Sequence, residues 1–191
     1  MKNLTHKQLY ALAHKLKACE DAQAWIKETG YNLQTAWARC TRADWMLWWL
    51  AHMDYPRPKL VKLTCQCART ALQYVPQGED RPRLAIEAAE KWADDPTEEN
   101  RTAVYAAANA AYAAAYAAAI AADFTDAAVY AAAHAAAHAA IAAAAHDVAL
   151  AAGNAADAAA HAADLAAGNA ADAAALIDMA DMIRQATGEG E

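Results

Sequence analysis

From Thr102 onward roughly half of the residues are alanine, and this run constrains the fold more than any other feature of the chain. Alanine has the highest helix propensity and loses no side-chain rotamer freedom on ordering. It also lacks the branched bulk that suits a pleated strand. Such a segment folds as helices or not at all. Because alanine buries little area, these helices gain from packing only when their axes come close. The larger residues fall in stripes: Tyr105, Tyr112 and Tyr116 share one helix face, and Tyr130, His134, His138 and Ile141 repeat the pattern. Asp123-Phe124-Thr125-Asp126 is the expected break between two helices, with Thr125 as the cap. Leu150–Ala160 and Leu165–Ala175 are the same eleven residues offset by fifteen, about four helical turns. Gly153-Asn154 and Gly168-Asn169 within them read either as turns or as small residues that admit close packing. A turn or kink is expected at one of them at least.

The first hundred residues carry the punctuation of short helices. Thr5-His6-Lys7-Gln8 is a capping-box pattern, followed by Leu9, Leu12, Leu16 and Cys19 at helical spacing. A second helix over Ala22–Thr29 should end at Gly30, a third spans Leu33–Cys40, and Thr41–Asp44 caps a fourth over Trp45–Met53. Pro56 and Pro58 end that one. Lys59–Val75 is the next, stopping before Pro76, and Asp80 is the expected N-cap of a helix that runs through Trp92 with Pro82 in its first turn. All six tryptophans (Trp25, Trp37, Trp45, Trp48, Trp49 and Trp92) lie in this part, which should hold most of the stability. The expected fold is therefore all-α, a multi-helix bundle in which tryptophan-rich N-terminal helices pack on alanine-rich C-terminal ones. Residues 1–101 form the tryptophan- and arginine-bearing region and 102–191 the alanine-rich acidic one, read as one continuous domain.

The charge divides along the same boundary. Residues 103–191 carry ten acids against a single base, Arg184, for −9, so residues 1–102 carry +2 of the total of −7. An acidic surface repels nucleic acid and attracts basic partners. The uncharged run Ala103–Ala122 has the length of a membrane span. However, alanine inserts poorly and Asn109 lies among three tyrosines, so a helix covered by its neighbours is expected rather than a membrane segment. The start of the chain reads as an amphipathic helix without an apolar leader, and the cytoplasm is the expected compartment. Cys19, Cys40, Cys65 and Cys67 are read as reduced. Cys65 and Cys67 sit two apart on a helix, about 200° around its axis, which poorly suits a shared metal.

Catalytic patterns are missing. The chain contains no serine, phosphate loop or dinucleotide fingerprint, and a non-enzymatic protein without a cofactor is expected. His134 and His138 have the i,i+4 spacing that can present two imidazoles to one metal, with His146, His161, Asp147 and Asp157 as conceivable companions. The same two histidines also continue the tyrosine stripe, where packing alone accounts for them. The richest polar cluster is Arg69, Glu79, Asp80, Arg81 and Arg83, flanked by Trp92. Arginines beside carboxylates commonly form a structural network. Otherwise Arg69, Arg81 and Arg83 could hold an anionic ligand, with Trp48 or Trp92 stacking on a base.

The segments Leu63–Leu72, Val75–Arg83 and Ala85–Trp92, with Ala36–Cys40 and Asp44–Trp49 upstream, resemble predicted immunity proteins of bacterial polymorphic toxin systems, which also occur in phages and prophages. Gly78–Trp92 is the most specific part of that resemblance. It implies an all-α protein that neutralises a toxin by direct binding, with no catalytic residues to carry over. Two other roles follow from the residues themselves. One is a phage-encoded anti-defence protein that sequesters an anionic nucleotide signal. The other is a structural scaffold that self-associates into a homo-oligomer through its alanine helices.

Overall fold

Thr5 opens the first helix as its spacing predicts. In the computed structural model, which describes residues 4–121, 127–144, 148–167 and 171–188, its hydroxyl faces the backbone N–H of Gln8, and the Gln8 side chain accepts from the Thr5 N–H at 3.0 Å. Helix α1 runs His6–Lys15, and α2, Glu20–Thr29, ends at Gly30 with φ +67°, a left-handed conformation that glycine adopts without strain. Asn32 caps α3 (Leu33–Arg39) through Thr35 N–H at 2.8 Å. Helix α4, Ala43–His52, starts two residues earlier than its spacing suggests. Asp44 sits in its first turn and binds Arg42 rather than capping the backbone. Helix α5 (Arg57–Thr70) is followed by a separate 3-10 turn, Leu72–Tyr74, where one helix to Val75 was expected. The chain tightens there before Pro76.

The remaining helices are α6 (Arg81–Asp94), α7 (Glu98–Ala121), α8 (Ala127–Ala144), α9 (Val148–Ala167) and α10 (Ala171–Thr187). No strand occurs among the described residues, and none of the helices is long and apolar enough to cross a membrane. The Thr125 cap and the Gly168-Asn169 pair lie outside the described residues. Gly153-Asn154 is inside α9, so of the two readings the small-residue one holds there. A Cβ on Gly153 would stand 3.4 Å from the carbonyl oxygen of Asp44, and the glycine brings α9 up against the first turn of α4.

The bundle is organised around α8. This helix packs on α5, α6, α7 and α9, and Ala135, Ala136, Ala137, Ala139, Ala140 and Ala142 are all fully buried. Those positions cover more than half of the circumference, leaving only the partly buried face of His134, His138 and Ile141, so α8 is a core helix rather than a surface one. Alanine makes this possible, because a methyl-sized side chain lets neighbouring helices approach closely on several sides. One hydrophobic core cluster runs from these alanines into Met46, Leu47, Leu60 and Ile86 of the first half.

The last helix packs on α9 and α4 and reaches back to α3 through one side chain. Arg184 on α10 donates from Nη1 to the carbonyls of Cys40 (2.7 Å) and Trp37 (3.2 Å), at the C-terminal end of α3. A cation there satisfies carbonyls that the helix itself leaves without partners. Its Nη2 pairs with Asp181 on its own helix. The one base of the acidic half is turned inward as a latch.

Candidate functional site

The arginine cluster resolves into separate ion pairs. Arg69 on α5 donates to Glu90 of α6 through Nε (2.8 Å) and Nη2 (2.6 Å), a planar two-point clamp between helices. Arg81 is held by Glu79, which accepts from its Nε at 2.7 Å, from its Nη2 and from its backbone N–H at 3.1 Å; the arginine keeps the Glu79 carboxyl below its usual range. Arg83 reaches Asp80 at 2.9 Å and Glu87 at 2.6 Å. Asp80 occupies the N-cap position of α6, yet its side chain makes no cap bond, because Arg83 engages it. Glu90, the partner of Arg69, lies roughly 13 Å along α6 from Arg81 at 1.5 Å of rise per residue. Trp92 is buried elsewhere, under the guanidinium of Arg57 at 5.3 Å. These residues therefore form a local charge network, not one basic pocket.

His134 and His138 pack edge-on against Tyr112 of α7, at ring separations of 5.2 and 5.7 Å, and the Tyr112 hydroxyl lies 3.3 Å from Nδ1 of His138. Tyr112 of the tyrosine stripe thus meets His134 and His138 of the second stripe across α7 and α8. Among the described residues, no group of three or more metal-ligating side chains forms around the pair. Burial pushes His138 down to about 4, reinforced by the neighbouring His134, which burial also lowers. An unfolded histidine takes its proton near 6.5, well before folded His138 does, so stability should fall as pH drops from 6.5 towards 4. Allowing for partial exposure, the loss should be on the order of 1–2 kcal/mol. Urea unfolding at pH 7 and pH 5 checks it, and His138→Gln should flatten the difference.

Five of the six tryptophans come together elsewhere. Trp45, Trp48 and Trp49 are at i, i+3 and i+4 on α4 and share a face. Trp25 comes from α2 and Trp37 from α3. With Leu9 of α1 and Gly153 of α9 they line a cavity of about 480 Å³. That volume lies within the 300–1,000 Å³ range of small-molecule sites. The rings fall in two groups: Trp25 lies 6.0 Å from Trp45 and from Tyr31, while Trp48 lies 6.3 Å from Trp49 and 4.1 Å from His52.

Charge is confined to a few lining residues. Arg42 binds Asp44 by two hydrogen bonds of 2.9 and 2.8 Å, stands over the Trp45 ring at 4.8 Å and lies 4.0 Å from Asp157 of α9. Cys40 is a lining residue too, but burial raises its thiol to about 11, so it stays protonated and unreactive at neutral pH. The indole Nε1 atoms of Trp37 and Trp49 are buried and meet no acceptor in the protein. A buried N–H left without a partner costs about 1–3 kcal/mol.

Of the expected site residues, the structure places Trp48 in this cavity, and Arg69, Asp80, Arg81, Arg83 and Trp92 away from its lining. Sequence reasoning missed Trp37, Trp49, Arg42 and Gly153 as parts of one site. The signal for α4 was present in the Trp45/Trp48/Trp49 spacing, but nothing local linked it to α3 or α9. Compared with known proteins, the chain matches no family model, no curated protein and no solved structure.

Proposed function

We propose that this chain is a non-enzymatic binding protein and that the tryptophan-lined cavity is its binding site. The observation that carries this reading is the convergence of five indoles from three helices around about 480 Å³ of space. Large rigid aromatics give much contact area for little lost conformational entropy. The chemistry of the lining supports binding over catalysis: Cys40 is held as a thiol, Arg42 and Asp44 neutralise each other, and no histidine is among the lining residues described. A cytoplasmic setting is supported by Cys40, Cys65 and Cys67, all buried as thiols whose burial disfavours the thiolate.

Toxin neutralisation, as the family resemblance implies, is the second form of this reading. The exposed face of α10 bears on it, where Asp178 and Ile177 face outward beside the Arg184–Asp181 pair. The two forms separate experimentally. Tryptophan emission should change saturably when neutral aromatic compounds are titrated in, since five of the six indoles line the cavity. Ala36→Phe, which fills the space from α3, should abolish that response. A response to nucleotides alone would overturn the cavity reading in favour of an anionic signal. A stoichiometric protein complex that Ala36→Phe leaves intact would favour the toxin partner.

A further inference from the structure

The described residues lining the cavity include five charged ones, and three of these are engaged with one another. Arg42 binds Asp44 by two hydrogen bonds and lies 4.0 Å from Asp157. The other two, Lys17 and Asp21, have opposite signs and flank the corner between α1 and α2. Both are exposed, and neither side chain forms a hydrogen bond or ion pair among the described residues, with the other or with a third. Lys17 also has an unusual backbone. Its φ is +58°, in the left-handed region, whereas the left-handed position at the end of α2 is filled by Gly30 at +67°. The N–H groups of Lys17 and Ala18 bond to the carbonyls of His14 (3.1 Å) and Ala13 (2.9 Å), a helix ending that usually takes glycine. A Cβ is disfavoured there because it crowds the following carbonyl oxygen. The chain bears that strain and places an ammonium among the residues lining the cavity. Strained residues of this kind concentrate at binding sites.

Resting on the reading of this cavity as the binding site, we infer that its ligand is a zwitterion with a large apolar body, the simplest case being an α-amino acid with an aromatic side chain. The body lies against the half-buried rings of Trp25, Trp45 and Trp48, the carboxylate meets Lys17, and the ammonium meets Asp21. One unpaired charge of each sign matches a molecule that carries one of each. A purely anionic ligand such as a nucleotide is attracted by Lys17 and opposed by Asp21; an organic cation meets the reverse. An uncharged aromatic uses the wall and leaves both rim charges as they are in the empty protein.

A matched set of probes tests this on the full chain. 3-(2-Naphthyl)alanine carries both charges, 2-(2-naphthyl)ethylamine only the ammonium, and 3-(2-naphthyl)propanoate only the carboxylate. Calorimetric titration at pH 7 should show the amino acid binding about fivefold more tightly than either of the others, the most that one solvent-exposed ion pair supplies. The variants should split the preference in a crossed pattern, read as affinity ratios within each protein. Lys17→Gln should remove the preference over the amine and keep that over the propanoate; Asp21→Asn should do the opposite. Lys17→Gly, which relieves the strain as well, should raise the Tm by about 2 °C while losing the same preference as Lys17→Gln. Equal affinity for the three probes, or ratios that neither variant changes, would overturn the zwitterion claim and leave the cavity reading standing. A lower Tm in Lys17→Gly would also overturn it, by showing that the lysine is there for the fold. Failure of all three probes while 2-ethylnaphthalene binds would overturn the zwitterion claim alone. If 2-ethylnaphthalene fails as well, the cavity reading falls with it.

Discussion

Ala136→Leu should destabilise the protein by about 3 kcal/mol, and Ala139→Leu by a similar amount. Both side chains are fully buried on α8, the helix that packs on four others. Inserting three carbons where a methyl group fits forces neighbouring helices apart, and each displaced helix loses contacts along its length rather than at one point. An ordinary core offers some slack by switching rotamers; a wall of alanine has no rotamers to switch. The opposite change should be milder. Ala136→Gly should cost about 1 kcal/mol, chiefly backbone entropy. Ala106→Leu, on the exposed face of α7, should stay within about 0.5 kcal/mol. Urea unfolding of the four variants checks the ordering, and equal tolerance at positions 136 and 106 would contradict a central α8.

The second large effect is expected at Arg184. Its side chain is only 13 % exposed and satisfies two carbonyls at the end of α3. Arg184→Met keeps most of the aliphatic stem and removes the donors, leaving the Trp37 and Cys40 carbonyls without that partner. Charge-assisted hydrogen bonds contribute about 1.5–3 kcal/mol each and are not additive here, so a total loss of about 3 kcal/mol is expected. Arg184→Lys should recover less than half of it, because one ammonium does not reproduce a planar fork that bonds two carbonyls and Asp181 together. Amide exchange adds a local readout: in Arg184→Met, protection should fall first in α3 and α10, with α8 the least affected. A uniform loss across all helices would argue against a latch.

How far the sequence foretold this depends on whether a signal was local. Thr5 and Gln8, Gly30, and the prolines at 56, 58 and 82 each act within a turn of themselves, and the helices begin or end near where they indicate. The pairs Glu79–Arg81 and Asp80–Arg83 are equally local, which is why a charge network was foreseeable. The central place of α8 was not legible. Its larger residues, His134, His138 and Ile141, mark one face only, and nothing local says that the alanine faces around the rest of the axis are buried as well. The cavity was half legible. Trp45, Trp48 and Trp49 declare a shared face, but the wall is completed by Trp37 and by Gly153, more than a hundred residues further on. Trp92 drew attention by standing near Arg81 and Arg83 in sequence, yet its ring packs under Arg57. Of the acids in the C-terminal half, Asp157 lies 4.0 Å from Arg42 and Asp181 is paired with Arg184, a pairing between distant segments and a local one respectively.

The Arg184 latch has a thermodynamic corollary. It ties α10 to the carbonyl of Trp37, a residue of the cavity wall, so a ligand that favoured the Trp37 position seen here would also favour the docked state of α10. Such linkage is reciprocal: loss of α10 docking would then weaken that ligand's binding by the same factor. The last helix, which contributes none of the described lining residues, would on that reading enter the binding constant.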